Sequence, residues 1–434
     1  MKKNVILIRS ALAAAYLAVA LCGVVCADET SGDVRQDEFM TIDRCIELAL
    51  GSHPRLAEVR SGVESQSFRV QGAAAQAKPQ VRVSSSYSRS YNENSGEGSS
   101  VNTDISLSQT IFDWNRTNLS IQAARQELEA RRFDESTSEQ DVVRDVVKAY
   151  FSLNCGNRTL AIARERLQNY EKRLGWATDF YEAGAKAKIE VTKARTDLAN
   201  AKLDLVSAKG AMWKAESNLA YATGIPDIPT GRVEDMLEAG FLNLDIGVDE
   251  AIEMAMRDRD DYKALNIRIE AAETNLALAR KGMSPTVTGN AGYAFSGEND
   301  PIDRKDWRLS LGISIPITDG GETKMRIKQA DADLEGIRAS GESLRQNIIS
   351  QVRTAYASLE EAREAVTAAR EAEIQAFENL RLAEGRYSAG VGESLEISDA
   401  VDGYARARMS IANSLYNKNA AEADLLRAVG GMPR

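Results

Sequence analysis

Two periodicities take turns along the chain. At 81–88, Val81, Val83 and Tyr87 share one face of an extended segment, while Arg82, Ser84 and Ser86 occupy the other. At 105–112, Ile105, Leu107 and Ile111 alternate with Ser106, Ser108 and Thr110. The pattern returns at 309–317, where Leu309, Leu311, Ile313, Ile315 and Ile317 alternate with Ser310, Gly312, Ser314 and Pro316. Alternation of this length predicts strands with one apolar and one polar face. The polar stretches 91–102 and 297–306 predict the loops, giving β-hairpins at 80–112 and 286–318. Elsewhere the period is helical. Val142, Val143, Val146, Val147, Tyr150, Phe151, Leu160, Leu167 and Leu174 recur at three- and four-residue steps, the stripe of an amphipathic helix. Asp113, and Asp319 with Glu322 three residues on, are candidate caps. The uninterrupted segments behind them predict two helices of about 65–70 residues, near 100 Å each at ~1.5 Å per residue. Globular domains do not house such helices.

The pattern is written twice. At an offset of 206, Ile46 meets Ile252, Pro79 meets Pro285, Tyr87 meets Tyr293, Asp113 meets Asp319, Tyr150 meets Tyr356 and Gly224 meets Gly430. The repeats span 41–224 and 248–430, with a Pro- and Gly-containing connector at 225–247 and a tail at 431–434. Within each, a short helix (42–51; 249–257) and a longer one (54–77; 260–283) run to the proline that stops them. The hairpin, the long helix, a turn (183–188; 388–394) and a returning helix (188–223; 394–429) follow. The helices flanking this path sum to nearly one long helix, so they can stack end to end beside it. The expected fold is therefore mainly α with a small antiparallel β part, built from two tandem repeats.

Composition narrows the function. Lys2, Lys3 and Arg9 precede an apolar run that ends at Val25-Cys26-Ala27, the pattern of a secretory signal at 1–27; 28–40 forms a short N-terminal segment. Loss of those three bases, with no acid, takes the net charge from −10 to −13. A dispersed acidic balance argues against nucleic acid as partner. Cys45 and Cys155 remain, too few for a disulfide framework, and are expected as buried thiols. The single histidine, His53, stands beside Pro54 at a helix break and reads as a turn residue. A His-cluster zinc site is thereby excluded and a Ser-His-Asp triad disfavoured, and no Gly-rich phosphate loop follows a strand. No cofactor, no metal site and no enzyme activity are expected.

Export, two short amphipathic hairpins and very long helices together point to the outer membrane, where strands of about 9–11 residues cross at a tilt. Four strands cannot close a barrel, and an open edge in lipid is untenable, so copies must combine. Two copies leave almost no lumen, whereas three give twelve strands and an open bore. An exported coiled-coil spacer is the rival reading; it explains the helices but leaves the hairpins idle. A wall-cleaving enzyme lacks a pocket-bearing domain.

At this point the sequence resembles the TolC-like outer-membrane efflux channel family. The carriers are the helix starts IELALGSHPRLAEVR (46–60) and IEMAMRDRDDYKAL (252–265), and the strand entries AKPQVRVSSSYS (77–88) and MSPTVTGNAGY (283–293). The strand exits SQTIFDWN (108–115) and SIPITDGG (314–321), and the turns YEAGAKAKIEV (181–191) and YSAGVGESLEISDA (387–400), complete the set. The resemblance implies a homotrimer with a 12-stranded barrel in outer-membrane lipid and a helical tunnel into the periplasm. It also implies partners: a periplasmic adaptor (membrane fusion protein) and an inner-membrane pump of RND, ABC or MFS type. The repeated turns become the tunnel's inner end.

Glu396 and Asp399, three apart on one helix face, are similar to that family's acidic ring at the tunnel constriction; from spacing alone they are equally an exposed helix surface. Glu190 and Tyr387 match its clasp between neighbouring tips, but Gly392 stands where the clasp commonly has an arginine. The first tip carries Lys186, Lys188 and Lys193 where the second has Gly392, Ser394 and Asp399. Lys188 and Lys193 are therefore expected to pair with Asp399, Glu396 or Glu393. Gly184 and Gly390 should end their helices in the left-handed conformation, and with Ala185 and Val391 present a small tip for an adaptor hairpin.

Overall fold

The computed structural model describes residues 40–93, 96–226, 233–240, 246–298 and 304–431. The signal segment and most of 28–40 lie outside them. The first repeat supplies α1 (Ile42–Ser52), α2 (Pro54–Ala75), β1 (Gln80–Asn92), β2 (Gly96–Phe112), α3 (Arg116–Glu182) and α4 (Lys188–Thr223). The second supplies α5 (Val248–Asp258), α6 (Asp260–Arg280), β3 (Thr286–Glu298), β4 (Arg304–Ser314), α7 (Glu322–Ser388) and α8 (Ser394–Val429). Helices α3 and α7 are each 67 residues long.

Local chemistry sets the joints. His53 closes α1 and opens α2: its Nδ1 accepts the Arg55 amide at 3.2 Å, and Pro54 fills the first helical position, where the absent N–H is not missed. Asp113 accepts the Thr117 amide at 2.8 Å, and Asp319 the amides of Gly321 and Thr323 at 2.9 and 2.7 Å. Glu322 does not complete a capping box; it pairs with Arg326 one turn on.

The four strands form one antiparallel sheet in the order β1-β2-β3-β4. Their register lines up Val83, Ile105, Tyr293 and Trp307 in one row and Val81, Leu107, Ala291 and Leu309 in another. Rows between them carry Arg82, Ser106, Gly292 and Arg308, so one face is apolar and the other polar. The hairpin loops are shorter than the polar runs suggest. Pairing continues to Asn92 opposite Gly96, because the ladder is a backbone bond that serine tolerates; Ser88 and Ser100 bond across it at 2.7 Å. At the other end β4 stops at Ser314, short of Ile317, since Pro316 has no amide to give the ladder.

Below the sheet, α2 and α4 both lie against α3, and α6 and α8 each lie between α3 and α7, against both. The C-terminal end of α4 at Gly224 abuts His53 and Pro54, and Gly430 abuts Arg259 in the same way. Near the tips the lateral order is α4-α3-α8-α7, and nearer the sheet it is α2-α3-α6-α7. The largest core cluster joins α1, α3, α4 and α8 around Val146, Tyr150, Phe151 and Leu219. The described part of the connector, 233–240, belongs to this core rather than to a free linker. Leu237 is buried, and Tyr150 donates to the carbonyls of Met40 and Glu234 at 3.2 and 2.8 Å. Cys45 and Cys155 are buried free thiols.

The counterpart of His53 is Arg259, 3% exposed. It grips Asp261 at 3.0 and 2.6 Å and donates to Gln351 and the Ala428 carbonyl at 2.8 and 3.3 Å. Burial pushes the Asp261 carboxyl up, but Arg259 outweighs it and holds that carboxyl below the usual range. Arg259→Ala, which leaves Asp261 half-buried and unpaired, is expected to destabilise the protein by about 3 kcal/mol in thermal unfolding. The pH dependence follows the depressed value: the Asp261 contribution is complete above about pH 4 and drains as pH falls through the folded value. Asp261→Asn should flatten that acid limb; an unchanged limb would exclude this pair as its source.

Candidate functional site

The two turns at the far end of the helices form the site. At the first, the amides of Gly184 and Ala185 return to the carbonyls of Tyr181 and Phe180 at 3.0 and 2.9 Å. At the second, Gly390 and Val391 return to Tyr387 and Arg386 at 3.0 and 3.1 Å. Both are paired closures of a helix end around a left-handed glycine, with φ of 71° at Gly184 and 77° at Gly390. Ala185 and Val391 are exposed beside them, as are Ile189 and Leu395, another pair 206 apart.

Gly392 departs from its partner Lys186 for a steric reason. A Cβ there would sit 2.7 Å from the Tyr387 amide nitrogen and 2.9 Å from the Arg386 carbonyl carbon. The turn is folded down on the helix before it, and no side chain fits. Lys186 crosses to meet it: its ammonium donates to the Gly392 carbonyl at 3.0 Å and stands 4.2 Å from the centre of the Tyr387 ring. The two tips of one chain thus touch at corresponding positions.

Tyr387 is fully buried between Trp176 and Phe180, with ring centroids 6.2 and 5.9 Å away, and packs with Leu380 and Ile397. Its hydroxyl and Oε2 of half-buried Glu190 are buried without a hydrogen-bond partner among the described residues. Burial pushes the tyrosine hydroxyl up. Glu396 and Asp399 are both exposed on the same side of α8. Glu396 accepts from Arg386 at 3.0 Å, a pairing the sequence reading did not anticipate, whereas among the described residues Asp399 joins no ion pair. Glu393 is exposed at the cap of α8; Lys188 is exposed and Lys193 half-buried, and among the described residues neither joins an ion pair. Among the described residues no group of three or more His, Cys, Asp or Glu could hold a metal ion.

Behind the tips lie residues that sequence reasoning missed. Arg173, 1% exposed, donates to Asp197 at 2.6 Å and to the Ser394 carbonyl at 3.0 Å; Ser398 donates to the same aspartate at 3.1 Å. One turn nearer the sheet, Arg166 and Tyr170 converge on Asp402 at 2.8 and 2.5 Å. These contacts tie the first helical hairpin to the second. No local motif marks the contacts that cross between the hairpins, because their partners are more than 200 residues apart; the one available signal is that the counterparts of Arg173, Asp197 and Arg166, namely Asn379, Gly403 and Ala372, abandon the chemistry.

Comparison with known proteins agrees with this architecture. The family model described as "Outer membrane efflux protein" matches residues 45–225 and 251–431. The chain is 21% identical over 403 residues to outer membrane protein TolC of Escherichia coli strain K12, covering 87% of this chain and 80% of that protein. It is 22% identical over 396 residues to toxin and drug export protein A of Aggregatibacter actinomycetemcomitans, covering 90% and 86%. Among solved structures, the Campylobacter jejuni CmeC outer membrane channel superposes with a TM-score of 0.79 at 17% identity, over 94% of this chain and 90% of that one. The Neisseria gonorrhoeae MtrE channel in its open state gives 0.78 at 21% identity, over 91% and 90%.

Arg173→Ala should free the second tip from the first. Loss of charged hydrogen bonds worth about 2 kcal/mol predicts amide exchange across 389–397 accelerated by about 30-fold, with the α1–α3 core unaffected. Unaltered exchange there would show that Arg173 does not hold the tip.

Proposed function

This chain belongs to the outer membrane efflux protein family, and from that membership we propose that three copies form the exit duct of a tripartite efflux or type I secretion system. The observation that carries this is the sheet. It has two unpaired edges, β1 and β4, and an apolar face that stays exposed, with Leu309, Leu311 and Ile313 each at least two-thirds bare. β1 and β4 run in opposite directions, so β1 of one copy can add to β4 of the next and close an antiparallel ring of twelve strands. Lipid would then cover the apolar rows, and the polar rows would line the bore. A coiled-coil spacer gives that face nothing to do.

In such a ring Glu396 and Asp399 of three copies set six carboxylates around one axis, where they draw cations and hold multivalent ones. Glu190, Tyr387, Lys188, Lys193 and Glu393 act as the clasp around this constriction, with Lys188 and Lys193 reaching acids of the adjacent tip. Each exposed pair is worth only about 0–1 kcal/mol, yet threefold repetition biases a gate. Gly184, Ala185, Gly390 and Val391 form the small, bare surface on which a periplasmic adaptor docks, and the adaptor in turn engages an inner-membrane pump. The relative named a toxin and drug export protein supports a cargo range of small molecules and polypeptides.

Conductance of the mature protein in a planar bilayer tests this reading. Cation-selective steps blocked by a trivalent cation are expected, with block lost in the Glu396→Ala/Asp399→Ala variant, and Lys193→Glu should raise the open conductance. A verified trimer that stays silent even with Lys193 reversed would overturn it.

A further inference from the structure

The 206-residue offset compares each side chain with its own counterpart, and burial differs in one direction. Positions that cover one another where α3 meets the α7–α8 hairpin are bare where they recur on α7 and on the α3–α4 hairpin. Arg173 is 1% exposed and Asn379 is open; Ala412 is 1% exposed and Val206 65%; Tyr387 is 0% exposed and Tyr181 44%. Helices α4 and α7 are also the two ends of the lateral order near the tips. The chain therefore holds one copy of a packing whose two halves recur, unfilled, at its opposite edges.

Charge follows the same rule. On the covered side Arg408 of α8 is paired with Glu165 of α3. Their counterparts are Lys202 on α4 and Glu371 on α7. Both are exposed, and among the described residues neither joins an ion pair within the chain. The signs are kept at both positions although the contact is absent.

We propose that the α3–α8 packing is reproduced position for position between α7 of one copy and α4 of the next. This sets the register of the junction, so that Lys202 meets Glu371 of the neighbouring copy. At the tip, Tyr181 takes the place of Tyr387. It lies against Leu382 and Arg386 of the neighbour, the counterparts of Trp176 and Phe180, and the guanidinium supplies a cation for the ring where the buried copy has an aromatic edge. This assignment rests on the reading that copies close into a ring, and it adds which residues meet, a matter on which the ring alone is silent.

Cysteine pairs read the register, because two cysteines join only when their Cα atoms come within about 7 Å, whereas seven residues along a helix span about 10 Å. In detergent-purified full chain, oxidised Lys202→Cys/Glu371→Cys should run as covalent dimers and trimers on a denaturing gel. Lys202→Cys combined with Glu364→Cys or Glu378→Cys, and each single variant, should not. A parallel charge test uses Lys202→Glu, expected to lower the temperature at which the oligomer dissociates, and Lys202→Glu/Glu371→Lys, expected to restore it. Trimers by sedimentation that link instead through position 364 or 378, or through none of the three, overturn the register and leave the ring intact. Monomers by sedimentation overturn the ring itself.

Discussion

An unpaired backbone edge cannot be left in hydrocarbon, and this chain makes two of them. Its four strands pair through to the end with one another, yet β1 and β4 keep a free ladder and the apolar rows remain bare. Everything else in the chain is consistent with that constraint. The sheet is short because it spans only a bilayer; the helices are long because their work lies beyond it. Among the described residues no helix is long and apolar enough to cross a membrane, and α3 and α7 carry charged residues along their length.

Duplication supplies the geometry, and divergence between the copies supplies the chemistry. His53 and Arg259 occupy the same joint with nearly the same backbone, φ −64° in both, but one accepts a helix amide and the other anchors a buried charge network. Lys186 and Gly392 share a position in the tip turns; one reaches out and the other makes room. A perfectly symmetric chain would place identical tips side by side, with like charge facing like. One tip carries Lys186, Lys188 and Lys193 where the other has Gly392, Ser394 and Asp399, which lessens like-charge repulsion between the two tips of a chain.

The sequence disclosed the repeats, the helix lengths and the glycine turns because each rests on local rules: periodicity, Pro79 and Pro285 as stops, a left-handed residue at Gly184 and Gly390. Strand ends were harder. Ser99, Ser100 and Asn102 look like loop residues, but a ladder asks only for their backbone, and Ile315 and Ile317 look like strand although Pro316 has already ended it. At the tips, the turn positions and their left-handed glycines were legible. The Arg173 junction and the Arg386–Glu396 pair were not, since charged partners chosen by tertiary packing leave no spacing to read, and Gly392 discloses its purpose only once the backbone 2.7 Å away is in view.

The buried thiols carry a consequence for the compartment in which the protein lives. An exported chain meets an oxidising environment, where a cysteine reacts as thiolate. Both thiols are buried; burial pushes Cys45 up to about 12 and raises Cys155 as well, which disfavours the thiolate that disulfide exchange requires. Cys45 is presented by a chain that has not yet packed α1 into the core, and Cys155 by one in which α8 has not reached α3. Folding therefore withdraws these two residues from the redox machinery, and their reactivity distinguishes a finished subunit from one still in transit.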